Sequence, residues 1–305
     1  MVECPAPKAG ARDLVVRVHA SSLNPHDWKY LGWFASSAYR LGLPLPHLRL
    51  GHDFVGTVIE TGSRVRHFHR GDVVFGMSAK TGAFAEYVAV DERMVALKPK
   101  NVDDAVAAAL PMVGLTALQA LRMAHLRAGM SVLIIGGSGG VGSVAIQIAH
   151  HQGPRVTAVC SGRNTAFVRA LSADSVVDYE QEDWRASGTV YDIIFDTIGQ
   201  ETVARMRPAL KPGGCLISTA TSAANALTTL TSRAVARFRP SAVRAGTLLA
   251  LPRGLDMAEL RDMVEAGFLK APIDRRYRLE QLAEAIEYSK TGRARGKIVL
   301  LVAKD

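Results

Sequence analysis

The chain has 305 residues, 48% of them apolar, and a formal charge of +9, which suits a soluble globular protein of one large domain or two ordinary ones. Its three cysteines, Cys4, Cys160 and Cys215, are scattered without a C-x-x-C pair, which excludes a disulfide framework and a cysteine zinc site and favours a reducing compartment, the cytoplasm by default. No apolar run reaches the ~20 residues of a membrane span, and Met1-Val2-Glu3-Cys4-Pro5 lacks the charged and apolar regions of a secretory signal.

The first hundred residues read as short strands punctuated by Gly and Pro. Leu14 to Ala20, Phe54 to Ile59, Asp72 to Gly76 and Phe84 to Val90 are strand-like, the last alternating as a half-buried strand does. Near Asp103 the character changes. Ala105 to Met123 is Ala- and Leu-rich and helical, interrupted by Pro111 and Gly114. From Ser131 strands and helices alternate. Val132-Leu133-Ile134-Ile135 suits a strand buried on both faces. Gly140 to His150 is helical, and Val156 to Val159, Val176 to Tyr179, Asp192 to Asp196 and Cys215 to Ser218 are further strands. This alternation predicts a parallel, doubly wound sheet. A late strand falls within Ala242 to Leu251. Asp256 can cap a helix running to about Ala266, where Gly267 stops it. A strand near Ile273, a helix from Glu280 to Ser289 and a final strand from Lys297 to Val302 close the chain.

The sharpest local signal is Gly136-Gly137-Ser138-Gly139-Gly140-Val141-Gly142, between a strand and a helix. Gly137, Gly139 and Gly142 fit G-x-G-x-x-G, whose glycines serve a tight turn, close approach of backbone to a pyrophosphate, and close helix–strand packing. The helix N-terminus then offers N–H groups to phosphate. Dinucleotide binding therefore falls to Gly137, Ser138, Gly139, Gly140 and Val141. An NAD site places Asp or Glu at the end of the second strand. Here that end reads Cys160-Ser161-Gly162-Arg163-Asn164, without a carboxylate. Ser161 and Arg163 can hold a 2′-phosphate instead, so the expected cofactor is NADPH.

Charge is unevenly placed. Between Glu201 and Asp256 there is no acidic residue, while Arg205, Arg207, Lys211, Arg233, Arg237, Arg239, Arg244 and Arg253 nearly account for the whole excess. A solvated basic face is the plain reading of this stretch, and steering of a phosphorylated cofactor, nucleic acid or an anionic membrane are the functional ones.

Several segments in one order carry a resemblance: Asn24-Pro25-His26-Asp27-Trp28-Lys29, Gly51 to Val58, Gly71 to Val74, Gly82 to Tyr87, Gly114 to Ala117 and Gly296 to Leu300, together with the glycine motif. The chain resembles the medium-chain dehydrogenase/reductase superfamily, and within it the quinone oxidoreductase branch, with its zeta-crystallin-like, enone-reducing and enoyl-reducing members. The resemblance implies an α/β protein with a GroES-like β-rich substrate domain (1–110, completed by 251–305) and a Rossmann domain (111–250), an active site in the cleft between them, and a homodimer paired along the late strand. It also implies that a strand pair usually present ahead of Val2 is absent, through an upstream start or a reduced domain edge. The zinc enzymes' cysteine ligand near Asn24 to Asp27 and their run of four structural cysteines are missing, so no metal is expected. His52, in a Gly-His-Asp pattern, is then structural or substrate-facing, because one His and one Asp make a poor zinc site.

The activity implied is hydride transfer from NADPH to an activated carbon–carbon double bond, of an enone or enoyl thioester, or to a quinone. Carbonyl reduction and noncatalytic NADPH binding, with RNA as a partner of the basic stretch, are the alternatives. By resemblance Asn24 and Lys29 stabilise the enolate oxygen and Asp27 orients their loop, whereas the plainer reading has Asn24 and Asp27 pinning a turn around Pro25. Tyr39, Tyr30 or solvent supplies the proton, and the segment from Trp33 to Arg49 shapes the substrate pocket. Thr116, Tyr179, Ile198 and Lys297 join the cofactor site, Tyr179 flanking the adenine.

Overall fold

The computed structural model describes residues 3–29, 32, 49–80, 82–219 and 241–302. Tyr30, Tyr39, residues 33–48 of the pocket segment, and Arg233, Arg237 and Arg239 lie outside the described residues. Two compact units divide the chain, residues 1–115 with 251–305, and residues 116–250. In chain order the strands are β1 (Asp13–Leu23), β2 (Asp53–Thr61), β3 (Val73–Met77), β4 (Tyr87–Asp91) and β5 (Val95–Leu97). Then come β6 (Ser131–Ile135), β7 (Arg155–Cys160), β8 (Ser175–Asp178), β9 (Tyr191–Asp196), β10 (Leu210–Ser218), β11 (Arg244–Thr247), β12 (Ile273–Arg278) and β13 (Lys297–Leu301).

The first unit is built on one sheet in the order β12-β13-β1-β2-β3-β5, with β4 also pairing with β1. Side chains two apart on a strand share a face, so Leu14, Val16 and Val18 of β1 enter one core with Phe54, Val58, Val74 and Val88. The last strand, β13, pairs antiparallel with β1, setting Leu23 opposite Ile298 and Ser21 opposite Leu300. A second apolar cluster then forms from Leu23, Ile298, Leu300, Leu279 and Ala285. Antiparallel pairing of β1 with β2 places Ser22 opposite Asp53. These two pairings bring residues from three distant parts of the chain to one place.

The second unit is a parallel sheet in the order β11-β10-β9-β6-β7-β8. Val132, Leu133 and Ile134 of β6 are fully buried, as a central strand covered on both faces requires. The helix Gly140–His151 connects β6 to β7, and after β8 the chain returns past β6 to build β9 on its other side. The strand order reverses between β6 and β9, and the carboxyl ends of strands at such a reversal are the usual ligand position in these sheets.

Two helix expectations are corrected in detail. The run from Ala105 to Met123 splits into the helices Asp104–Ala108 and Pro111–Met123. Pro111 opens the second helix, where a missing N–H costs nothing, and Gly114 lies inside it, where a Cβ would stand 2.7 Å from Leu260 Cδ1. The late helix spans Gly254–Glu265, so Asp256 sits in its first turn instead of capping it. No described helix is long and apolar enough to cross a membrane.

An ionic clasp fastens the helix Asp104–Ala108 to the sheet of the first unit. Asp104 accepts from His19 Nδ1 on β1 at 2.8 Å and pairs with Lys98 Nζ at 2.7 Å, and the other ring nitrogen of His19 bonds Thr57 Oγ1 on β2 at 2.9 Å. The hydrogen bond from His19, against the cost of burial and with help from Lys98, lowers the Asp104 pKa from 3.8 to about 2. A carboxyl whose pKa is lower folded than unfolded stabilises above its unfolded pKa, and that contribution is lost as pH falls from near 4 through about 2. Asp104→Asn should therefore cost about 1 kcal/mol at neutral pH, the charged hydrogen bonds being discounted for partial exposure. In urea titrations the gap between variant and wild type should close below pH ~3; a gap independent of pH would assign the loss to packing.

Candidate functional site

The glycine turn is made by backbone alone. Gly136 follows β6 with φ +82°, a left-handed conformation that suits glycine. Its N–H and that of Gly137 donate to Val159 O of β7 at 3.0 and 2.9 Å, and Gly139 N donates to Gly136 O at 3.0 Å. A Cβ on Gly142 would run into the Gly136 carbonyl oxygen, so this residue lets the helix Gly140–His151 close onto the turn. A Cβ on Gly139 would meet no atom nearer than 3.4 Å. No side chain caps the helix, and helix geometry gives its first N–H groups no partner within it. An open turn with free N–H groups and the positive end of a helix dipole fits a pyrophosphate.

Further residues gather around this turn. Ile198, 49% exposed just after β9, lies across from Gly136, whose added Cβ would stand 2.7 Å from Ile198 Cδ1. The loop carrying it is held from below: Ile198 N and Gly199 N donate to the fully buried Asp196 Oδ1 at 3.0 and 2.9 Å, and Thr197 Oγ1 donates to Ile135 O at 2.7 Å. Burial holds the Asp196 pKa above the ordinary carboxylate value.

At the end of β7, Ser161 is buried and Arg163 exposed. Asn164 Nδ2 donates to Ser161 Oγ and to Ser138 Oγ, each at 3.1 Å. It thus ties the glycine turn to the end of the neighbouring strand, while its own Oδ1 is buried without a hydrogen bond among the described residues. Tyr179 is 58% exposed after β8, its N–H donating to Cys160 O at 3.1 Å. Sequence reasoning left Asn164 and Asp178 without a role. The Asp178 carboxylate stands against Gly162, where a Cβ would collide with it.

The first unit holds a separate, buried polar cluster. Residues 25–29 form a helical turn with Pro25 in its first position, and Asp27 Oδ2 reaches back to accept from Asn24 N at 2.8 Å, which is half of a capping box. The other oxygen, Oδ1, accepts from His52 Nδ1 at 2.7 Å. Asp53, the next residue, is fully buried. Its Oδ2 accepts from Ser22 Oγ at 2.7 Å and Asn24 Nδ2 at 2.9 Å, and its Oδ1 from Met112 N at 2.9 Å. Lys297 Nζ stands 3.6 Å from Asp53 Oδ2 and donates to Leu23 O at 3.0 Å and Asn24 Oδ1 at 2.5 Å. Burial pushes Asp53 up and Lys297 down from their ordinary pKa values, and each partner's charge opposes the shift.

Asn24, Asp27 and Lys297 are therefore brought together, with Ser22, His52 and Asp53. The Asn24 amide is engaged within the cluster, its N–H groups directed at Asp53 and at Ser22 O, the latter at 3.4 Å. An amide so engaged has no N–H left for a substrate oxygen. Lys297 is likewise engaged, its ammonium buried in the interior of the first unit. Lys29 is exposed, its Nζ 5.6 Å from the Trp28 ring centroid. Thr116 is buried on the helix Pro111–Met123, and Tyr39 lies outside the described residues. A signal for Asp53 and Lys297 was present in the sequence: each is a charge directly ahead of an apolar run, Phe54-Val55 and Ile298 to Leu301. No group of three or more His, Cys, Asp or Glu side chains that could hold a metal ion occurs among the described residues. His52 commits Nδ1 to Asp27, and Asp53 is enclosed by its donors, so this donor set does not fit a zinc site.

Residues 10–100 match the alcohol dehydrogenase GroES-like domain family, and residues 171–300 match the zinc-binding dehydrogenase family. The chain is 33% identical over 300 residues to 2-methylene-furan-3-one reductase of Solanum lycopersicum, covering 94% of this chain and 71% of that protein. It is also 33% identical over 307 residues to the chloroplastic NADPH-dependent alkenal/one oxidoreductase of Arabidopsis thaliana, covering 96% of this chain and 73% of that protein. The structure of a quinone oxidoreductase from Coxiella burnetii superposes with a TM-score of 0.86 at 35% identity, over 99% of this chain and 94% of that one.

Because Lys297 and Asp53 enter the interior together, Lys297→Met should destabilise the protein by about 3–5 kcal/mol, the loss typical when one member of a buried pair is removed. Adding Asp53→Asn should recover part of that loss in denaturant titrations. Strictly additive losses would show that the two side chains do not act as a pair.

Proposed function

The chain belongs to the quinone oxidoreductase-like branch of the medium-chain dehydrogenase/reductase superfamily, and on that premise we propose that it is an NADPH-dependent reductase working without zinc. Its substrates are enones, enoyl thioesters or quinones. The observation that carries the reading is the uncapped glycine turn at the head of the helix Gly140–His151, beside a strand end that offers Ser161 and Arg163 and no carboxylate of its own. The nicotinamide supplies the hydride when bound. Everything else is binding, orientation and charge.

The N–H groups of Ser138, Gly140 and Val141 bind the pyrophosphate, and Gly139, whose own N–H goes to Gly136 O, leaves the backbone open to it. Ser161 and Arg163 take the 2′-phosphate, and Tyr179 covers the adenine with its exposed ring. Asp178 works against a phosphate at this end, so the Arg163 charge decides the preference. Ile198 and Thr116 serve the nicotinamide end. In the first unit the Asp53–Lys297–Asn24 cluster is a scaffold that holds residues 25–29 in place. Lys29, exposed on that turn, supplies the cation for the oxygen that gains charge during hydride transfer. Acceptors whose conjugation already spreads that charge suit a site that works through such a cation. We also propose a homodimer paired along β11, which ends the order of its sheet and would otherwise present an open edge.

Three measurements test this reading. The wild type should bind NADPH more tightly than NADH, and Arg163→Ala should weaken NADPH by about 1.5–3 kcal/mol, the loss of a charged hydrogen bond, while leaving NADH nearly unchanged. Equal affinity of the wild type for both would remove the 2′-phosphate site. NADPH oxidation with an enone should survive exhaustive chelation, and stoichiometric zinc in the purified protein would refute the zinc-free assignment. Light scattering at micromolar concentration should give the mass of two chains; a monomer would overturn the β11 pairing.

A further inference from the structure

A histidine in the polar cluster is left without a task by the binding scheme above. His52 joins the buried Asp53 to the preceding Gly51, and its side chain is 12% exposed, whereas Asp27, which it touches, is 1% exposed. Asp27 accepts on both oxygens, from Asn24 N and from His52 Nδ1, so its orientation is fixed and the imidazole is fixed with it. A carboxylate can only accept, which places the Nδ1 proton on the ring. The second nitrogen, Nε2, has no hydrogen-bond partner among the described residues. The arrangement is a carboxylate–imidazole pair in which a buried carboxylate orients a partly exposed ring whose Nε2 remains uncommitted among the described residues.

Its surroundings favour the protonated ring. Burial works against the cation, but the hydrogen bond to Asp27 and the charges of Asp27 and Asp53 outweigh it, and the His52 pKa lies above the ordinary imidazole value. His26 packs edge-on at 5.3 Å between ring centroids, and burial together with the His52 charge lowers its own pKa. One imidazole of the pair is thus biased to the acid form and the other to the neutral form. The remaining charges on the packed elements are Lys297, paired with Asp53, and Lys29 on the same turn as Asp27.

We infer that His52 is the proton donor for the enone reaction, with Asp27 as its positioning residue. This rests on the hydride-transfer reading above. Hydride, carrying an electron pair, adds to the β-carbon and leaves an enolate. The His52 Nε2–H bond breaks, its proton forms the new bond at the α-carbon, and the ring is left neutral. Solvent then returns a proton to His52, whose side chain is partly exposed. The sum is one NADPH, one proton and one enone giving NADP⁺ and the saturated ketone, with no change of oxidation state at His52. Protonation at carbon is sped by a positioned acid. A reduced quinone is protonated on oxygen, where water suffices, so the two acceptors depend on His52 unequally.

The test compares methyl vinyl ketone with menadione, using NADPH and the full chain. His52→Gln should lower kcat for the enone by ~100-fold or more, the scale of a lost general acid. The loss with menadione should be at least about tenfold smaller. In the wild type, kcat for the enone should fall as pH rises through the His52 pKa, and this basic limb should vanish in His52→Gln. Asp27→Asn removes the group that holds the ring charged, so its limb should move to lower pH. If His52→Gln does not fold, the Asp27→Asn displacement alone decides. Equal losses with both acceptors, a basic limb persisting in His52→Gln, or an unmoved limb in Asp27→Asn would overturn the inference while leaving hydride transfer intact. A wild type that oxidises NADPH with neither acceptor would overturn the hydride-transfer reading and this inference with it.

Discussion

Two opposite charges, Asp53 and Lys297, enter the interior of the first unit together, and neither could do so alone. A buried ion is tolerated only when its charge and its hydrogen-bonding capacity are both met. Asp53 satisfies this with Ser22, Asn24, Met112 N and Lys297, and Lys297 with Leu23 O, Asn24 Oδ1 and Asp53. The donors and acceptors come from β1, β2, β13 and the start of the helix Pro111–Met123. Meeting them fixes where these elements sit against one another, so the charge pair specifies an arrangement more than it adds stability.

The constraint reaches outward from there. Asn24 is held at its side chain by the charge pair and at its backbone N–H by Asp27, and Asp27 passes the constraint to His52. The chain of contacts runs from the fully buried Asp53 to the partly exposed His52. A side chain at the end of such a chain has one orientation, which is what a group acting on a substrate needs. The second unit reaches the same end by other means. Its turn is positioned by backbone hydrogen bonds to Val159 O and by the absence of side chains at Gly136 and Gly142. One unit therefore fixes its side chains with charge, and the other shapes its turn with glycine.

Much of this was legible in the sequence. The parallel unit could be read because its strands are continuous apolar runs alternating with helices, and the glycine motif lies between one such strand and one such helix. Both signals are local, since the residues that form the turn are neighbours in the chain. The β-rich first unit was legible for the same reason, through the alternation in strands such as β4. The ends of helices were less so. Asp256 looked like a cap, but the helix starts two residues earlier at Gly254, with Arg253 in the cap position and no side-chain cap.

The sequence by itself determined the fold class and the glycine turn, because each depends on residues a few positions apart. Tertiary structure alone decided what Asn24, Asp27, His52, Asp53 and Lys297 do. Lys297 is 273 residues from Asn24, and no periodicity connects them. Antiparallel pairing of β1 with β2 and with β13 brings them within hydrogen-bonding distance, turns the Asn24 amide away from solvent toward Asp53, and draws the Lys297 ammonium into the interior. Whether a polar side chain is a ligand-binding group or part of a scaffold depends on which of its hydrogen bonds are already taken, and that is a property of the packed chain.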